Sequence, residues 1–257
     1  MKALIRKTAN IFGYEIRRKT AEPSKVRYTP RETFHSYHYL RHNARRLEHL
    51  ASLRIPVAGM TVLEVGAGIG DHSSYYIDRG CNITITEGRE ENLAILRNRY
   101  PGNNIVAMDM ERPNTIERSS FEVVHCYGLL YHVRDPQRLL QFLAENCTKF
   151  LFLETCVSFG SDEKVNNVAE KTSDPSQALS GAGCRPTRKW IFNQLKNAFP
   201  YVYCSKTQPN HEEFPLDWTA PEKHKSMLQR SVFIASRLKL ENEMLSEQLL
   251  EHQIRHE

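Results

Sequence analysis

Neither a membrane span nor a secretory leader is expected from this sequence. No apolar run in its 257 residues approaches the ~20 consecutive apolar residues of a spanning helix, and the N-terminus has neither a long apolar core nor a small-residue cleavage site. Cysteine is sparse and unpatterned: the six residues, at positions 81, 126, 147, 156, 184 and 204, form no C-x-x-C pair. That spacing argues against a disulfide framework or a zinc ribbon and suits reduced thiols in a cytoplasmic protein. The body also lacks excess charge of either sign. The net charge is +5, residues 1–27 alone carry +6, and the remaining 230 residues therefore stand at −1. A body so balanced is not a broadly basic nucleic-acid surface.

What is present fits one α/β domain with additions at both ends. Residues 1–27 form a basic N-terminal segment, residues 28–236 the domain, and residues 237–257, charged and leucine-containing, read as a C-terminal helix. In the leader, Leu4, Ile5, Ile11, Phe12 and Ile16 lie among basic residues. Such a stripe could rest on an anionic membrane, on a partner, or on its own domain.

The densest information lies in Thr61-Val-Leu-Glu-Val-Gly-Ala-Gly-Ile-Gly70, an apolar strand running into three alternate glycines. Gly66, Gly68 and Gly70 allow a sharp turn and close approach of backbone to a ligand. The spacing is G-x-G-x-G, not the G-x-G-x-x-G of dinucleotide sites. Glu64 lies two residues before the first glycine, where it would repel a pyrophosphate and could pair with an ammonium or sulfonium group. Further strand patterns follow at 82–86, 105–108, 121–126, 150–154, 201–204 and 230–236. Helical patterns at 90–100, 136–146 and 187–199 separate them. The expected fold is therefore α/β, a doubly wound, seven-stranded, mostly parallel sheet with a final antiparallel strand. Glu87 ends the second strand about twenty residues after the glycines, where a ribose-binding acid belongs.

With Glu64 and the glycines in E-x-G-x-G-x-G form, and with Glu87 and Asp109 following in register, the chain resembles the class I S-adenosylmethionine-dependent methyltransferases, which have a Rossmann-like fold. The resemblance covers roughly residues 31–155. It implies S-adenosyl-L-methionine as cofactor, with its methionine end on Gly66, Gly68 and Gly70, its ribose on Glu87 and its adenine beside Asp109 and Met110. It also implies that the helix before the first strand lids the site, bringing Tyr37, Arg41 and His42 to the cofactor or acceptor. In that helix Leu40, Ala44, Leu47, Leu50 and Leu53 fall at helical spacing and are expected to face the sheet.

Methyl transfer requires alignment of the acceptor and, for a hydroxyl acceptor, a base. In open α/β sheets ligands sit beyond the carboxyl ends of the strands, so Tyr127-Gly-Leu-Leu-Tyr-His132 is the expected location. His132 is the candidate base, Tyr127 orients the acceptor and Tyr131 lines its pocket. Residues 157–185, long and polar, read as a substrate lid that includes Asn166. Glu154, His211 and Glu212 complete the expected acceptor-binding set. The acidic turn around Glu212, Glu213 and Asp217 has no recognised ligand spacing, so no metal site is expected.

The resulting expectation is a cytoplasmic enzyme that moves a methyl group to an oxygen or nitrogen of a polar small molecule or glycan. The short basic leader resembles those of bacterial methyltransferases in surface-glycan pathways. Two alternatives stay open. Gly128-Leu-Leu-Tyr-His-Val-Arg-Asp-Pro136 resembles the corresponding segment of bacterial enzymes that alkylate transfer-RNA wobble uridine. The chain could also be a non-catalytic, cofactor-binding regulatory partner.

Overall fold

Along the first strand, β1 (Thr61–Val65), neighbouring side chains face opposite sides and all but the first are buried. A strand buried on both faces belongs inside a parallel sheet covered by helices on both sides. The computed structural model, which describes residues 28–113, 116, 120–224 and 227–257, has that arrangement. The basic leader lies outside the described residues.

β1 pairs in parallel with β2 (Asn82–Glu87) and β4 (Phe121–Tyr127), β2 with β3 (Asn104–Ala107), and β4 with β5 (Cys147–Val157). After two short strands outside this sheet, β6 (Val165–Ala169) and β7 (Ala182–Pro186), the chain returns with β8 (Tyr201–Ser205). β9 (Thr207–Gln208) follows, and β10 (Gln229–Ser236) then inserts antiparallel between β5 and β8. A short β11 (Leu245–Ser246) is the eighth strand, giving the order β11-β8-β10-β5-β4-β1-β2-β3.

Helices cover both faces. Leu63 and Val65 pack with α5 (Pro136–Glu145) and α6 (Arg188–Ala198). Val62 packs on the other side with Leu50 and Leu53 of and after α2 (Tyr37–Ser52) and with Leu93 of α4 (Glu90–Arg99). Two short helices, α1 (Pro30–Phe34) and α3 (Ser73–Ile77), precede α2 and follow the glycine turn. The helix starts are set locally: Asp135 accepts from the Arg138 N–H with Pro136 next in line, and Thr187 accepts from the Trp190 N–H.

Three expectations change. Residues 237–257 are not a helix. β11 extends the sheet edge, β12 (Ile254–Arg255) pairs with β9, and Gln253 is buried, donating to the Ser205 carbonyl while accepting from Gln208 and Trp218. Backbone and amide partners supplied by the domain outweigh a helix whose Leu238 and Ile254 would have nothing to cover. The 157–185 segment is not a loop throughout, since β6 and β7 form an antiparallel hairpin. Its polar strands lack the apolar alternation by which a strand is read. In α2, Leu40 and Ala44 face solvent, and His42, Arg46, His49 and Leu50 face inward, because Glu154, Glu213 and Thr207 lie beneath them.

Candidate functional site

A cavity opens at the carboxyl ends of β1, β2, β3 and β4, where the strand order reverses about β1. At its floor the chain leaves β1 through Gly66 and Gly68, whose φ angles of 69° and 60° disfavour any residue with a Cβ. A Cβ on Gly66 would stand 2.7 Å from the Leu129 side chain, so this turn is packed as well as sharply bent. Glu87 holds it in place, accepting from the Gly68 N–H at 2.8 Å and the Arg89 N–H at 2.8 Å. Burial raises the Glu87 carboxyl above its ordinary range, against the pull of those bonds. Each carboxylate oxygen keeps acceptor capacity for a ligand hydroxyl. Gly70 does not line the cavity; its carbonyl accepts from the Tyr100 hydroxyl, so it serves the turn.

Glu64 faces the same floor. It makes no ion pair among the described residues, and its carboxylate accepts from the Ser73 hydroxyl at 2.5 Å. Burial pushes it up to about 7. Asp109 lies at the exposed rim, while Met108 and Met110 are buried and present apolar walls. This half of the cavity combines acceptors for hydroxyls, a desolvated carboxyl for a cation and an apolar slot.

Beneath the other half lies a buried relay of neutral groups. The Tyr76 hydroxyl donates to His125 Nδ1 at 2.9 Å, His125 Nε2 donates to His72 Nδ1 at 3.1 Å, and His72 Nε2 donates to Asn43 Oδ1 at 3.2 Å. One tautomer of each ring satisfies the whole chain. Burial holds both imidazoles neutral, with His125 brought down to about 3. The Tyr127 ring packs tilted against His125, and its buried hydroxyl has no hydrogen-bond partner among the described residues. Burial and the Glu154 carboxylate keep that hydroxyl protonated, and Tyr127 is one of the residues that line the cavity.

His132 also lines the cavity, at the end of the 3-10 turn Leu130–His132. Its Nδ1 is bonded to Glu170 Oε2, a residue of the segment joining β6 to β7. Burial lowers the imidazole pKa, so the ring is neutral at pH 7 even against the carboxylate. With Nδ1 carrying the proton shared with Glu170, Nε2 has the free lone pair.

The same connecting segment forms a roof. Pro175 to Leu179 line the cavity, Arg89 donates to the Thr172 and Gln177 carbonyls, Arg134 to the Ser180 carbonyl, and the Ala178 N–H donates to Glu170. The wall beside Tyr131 is Arg230, whose Nη2 donates to the Tyr131 hydroxyl at 3.2 Å while its other nitrogens reach Glu213 at 2.6 Å and Glu154 at 3.2 Å. Arg46, from α2, pairs with the other oxygen of Glu154 at 2.8 Å.

The expected residues therefore divide. Glu64, Gly66, Gly68, Glu87, Asp109, Met110, Tyr127, Tyr131 and His132 meet in one cavity. Glu154 lies behind it as the counter-ion of two arginines. Asn166 does not reach it, because its amide is spent on Ser158 and the Arg185 carbonyl. His211 and Glu212 stand apart as well: His211 packs on His42, and Glu212 pairs with Arg41 at 2.6 Å. Tyr37 is exposed, so α2 sends in Tyr39, Asn43 and Arg46 instead of Tyr37, Arg41 and His42. Glu170, Arg230, Arg46 and the histidine relay were missed, since their partners lie far away in sequence.

Residues 63–146 match the family model described as "Methyltransferase domain". The chain is similar to a tRNA U34 carboxymethyltransferase of Alteromonas mediterranea, 31% identical over 134 residues, covering 48% of this chain and 39% of that protein. It thus spans about two fifths of the curated relative it matches. Among solved structures it is similar to the N-terminal domain of EvdMO1 with SAH bound, at 25% identity and TM-score 0.58 over 76% of this chain and 80% of that one. A second is an S-adenosylmethionine dependent methyltransferase from Mesorhizobium loti, at 15% identity and TM-score 0.55 over 77% and 100%.

Proposed function

We propose that the chain is a class I, Rossmann-like S-adenosylmethionine-dependent methyltransferase that methylates an oxygen or nitrogen of an enclosed polar small molecule, a sugar or glycan unit being the expected kind; the methyltransferase-domain match and the likeness to a structure with SAH bound support this reading. The cavity fits such a donor. Glu87 with the Gly68 N–H would hold the ribose side, Met108 and Met110 the apolar base, and desolvated Glu64 the cationic end. When bound, S-adenosylmethionine supplies an activated methyl carbon on its sulfonium sulfur.

The chain's own residues then have to place an acceptor and remove its proton. Neutral His132 takes that proton at Nε2, and Glu170 fixes the tautomer and steadies the imidazolium that results. Tyr127 donates its unpartnered hydroxyl to the acceptor, and Tyr131, held by Arg230, sets the wall.

The observation that carries the small-acceptor reading is the roof: residues 175–179 line the cavity, and two arginines, Arg89 on the cavity wall and Arg134 beside it in the chain after His132, donate to carbonyls of the 172–180 segment. Cations used in this way offer little to a polyanion. An RNA acceptor is the second reading, favoured by the 31% identical relative, which is named for its action on tRNA.

The test is transfer of a labelled methyl group from S-adenosylmethionine into fractionated cell extract. The proposal expects label in low-mass, ribonuclease-resistant material. Label confined to RNA would establish the second reading, and donor binding with no transfer to any fraction would point to a regulatory partner.

A further inference from the structure

Among the described residues, two groups of side chains bring ligand atoms within 4.8 Å of one another, and they differ in one respect. In the group of Glu64, His72 and His125, both imidazoles already have hydrogen-bond partners at each ring nitrogen, and Glu64 has Ser73. That group has no need of an ion. The group of His38, His42 and Glu213 is different: His42 is 2% exposed, and its Nε2 has no hydrogen-bond partner. A buried ring nitrogen left without a partner is a cost that a bound ion would remove.

We propose that His38, His42 and Glu213 form a binding site for a borderline divalent cation of the Zn²⁺ kind. The proposal does not depend on the methyl-transfer reading. His38 and His42 are four residues apart on α2 and so share one face of the helix. His38 Nε2 stands 3.5 Å from Glu213 Oε1, and His42 Nε2 stands 3.9 Å from Glu213 Oε2. Ligands bonded to Zn²⁺ at about 2.0–2.1 Å in a tetrahedron lie about 3.4 Å apart, so small side-chain rotations close the site. Two imidazoles and one carboxylate suit zinc better than calcium or magnesium, and the missing fourth position is left to water.

The surroundings support the assignment. Arg230 Nε donates to Glu213 Oε2 at 2.6 Å, leaving Oε1 toward His38, and an outer hydrogen bond of this type orients a ligating carboxylate. Burial, reinforced by Arg46 and Arg230, keeps His42 unprotonated, the form that binds metal. Arg46 and Arg230 share the Glu154 carboxylate, Arg230 is paired with Glu213 as well, and Arg41 is paired with Glu212. His211, whose ring lies 4.7 Å from His42, accepts from the Glu213 N–H at Nδ1 and so helps to fix the ligand-bearing segment, while its Nε2 lies 3.8 Å from Glu212 Oε1. His38 is half exposed and gives the ion a way in. An ion here would tie α2, which carries Tyr39, Asn43 and Arg46 into the cavity, to the segment before β10.

The test uses the full-length protein, freed of metal by a chelator and titrated with Co²⁺ and Zn²⁺. The proposal expects one equivalent of Co²⁺ to give visible d–d absorption, Zn²⁺ to displace it, and the unfolding midpoint to rise with Zn²⁺ concentration. His38→Ala, at an exposed position that the fold does not need, should weaken binding at least tenfold. His252→Ala, a surface histidine elsewhere, should leave it unchanged. Absence of stoichiometric binding, a His38→Ala protein that binds as tightly as the parent, or equal weakening by His252→Ala would overturn the proposal.

Discussion

The two halves of the cavity are built in different ways. The half proposed to hold the donor comes from one stretch of chain, residues 64 to 110, where each strand end delivers its residues in register: Glu64 and the glycines at the end of β1, Glu87 at the end of β2, Met108 to Met110 after β3. The half proposed to hold the acceptor is gathered from α2, the turn after β4, the β6–β7 connection and β10. Local backbone geometry fixes the first half, and long-range ion pairs fix the second. The donor half should therefore tolerate acceptor-side substitutions, and the acceptor half should fail when its buried charges lose a partner.

The largest expected effect breaks that division at Arg230. Arg230→Met removes the partner of Glu213 and one of two partners of Glu154, so it should destabilise the fold by roughly 3–5 kcal/mol. Chemical denaturation measures this, and a loss below about 1 kcal/mol would show that the pairs are not what assembles the acceptor wall.

On the donor side, Glu87→Ala leaves the Gly68 and Arg89 N–H groups without their acceptor and deprives a ligand hydroxyl of its own. Donor affinity by calorimetry should fall about 10- to 100-fold, following roughly 1.5–3 kcal/mol per charge-assisted bond, and the unfolding midpoint should fall too, because two N–H groups lose their acceptor. A smaller effect is expected for Glu170→Gln, which keeps the shape but no longer holds His132 in one tautomer. Turnover should fall about tenfold with KM for the donor unchanged.

The smallest effects concern pH. His132 is lowered below its ordinary 6.5, so the rate should reach its plateau by about neutral pH and fall as acid protonates the base. Stability has the same sign. His49, His211 and His125 are held at about 4, about 4 and about 3 by burial, so the unfolded chain binds protons before the native one does. Their contribution is full above pH 6.5 and is lost as pH falls toward 4. Glu64, raised to about 7, acts in the opposite direction over 4.5 to 7 and softens the upper part of that loss.

The same contrast explains what could be read from the residues alone. The sheet, and the meeting of Glu64, Gly66, Gly68 and Glu87 in one cavity, were legible because these residues are local to strand ends whose apolar patterns mark them. The acceptor half was legible only where it is local, at Tyr127, Tyr131 and His132. Glu170 lies 38 residues from His132, and Arg230 lies 99 from Tyr131, so no spacing announces either pairing. Asn166 falls in the segment whose sequence reads as a substrate lid, but its amide serves the β6–β7 hairpin itself. Residues 237–257 had helical composition, yet sheet-edge pairing and buried Gln253 claimed them.

The division between the halves is tested most directly by His132→Ala, with donor binding and methyl transfer measured on the same preparation. Donor affinity should stay within about twofold of the parent, since His132 belongs to the acceptor half, while transfer should fall at least about 100-fold. Transfer at the parental rate would contradict the account.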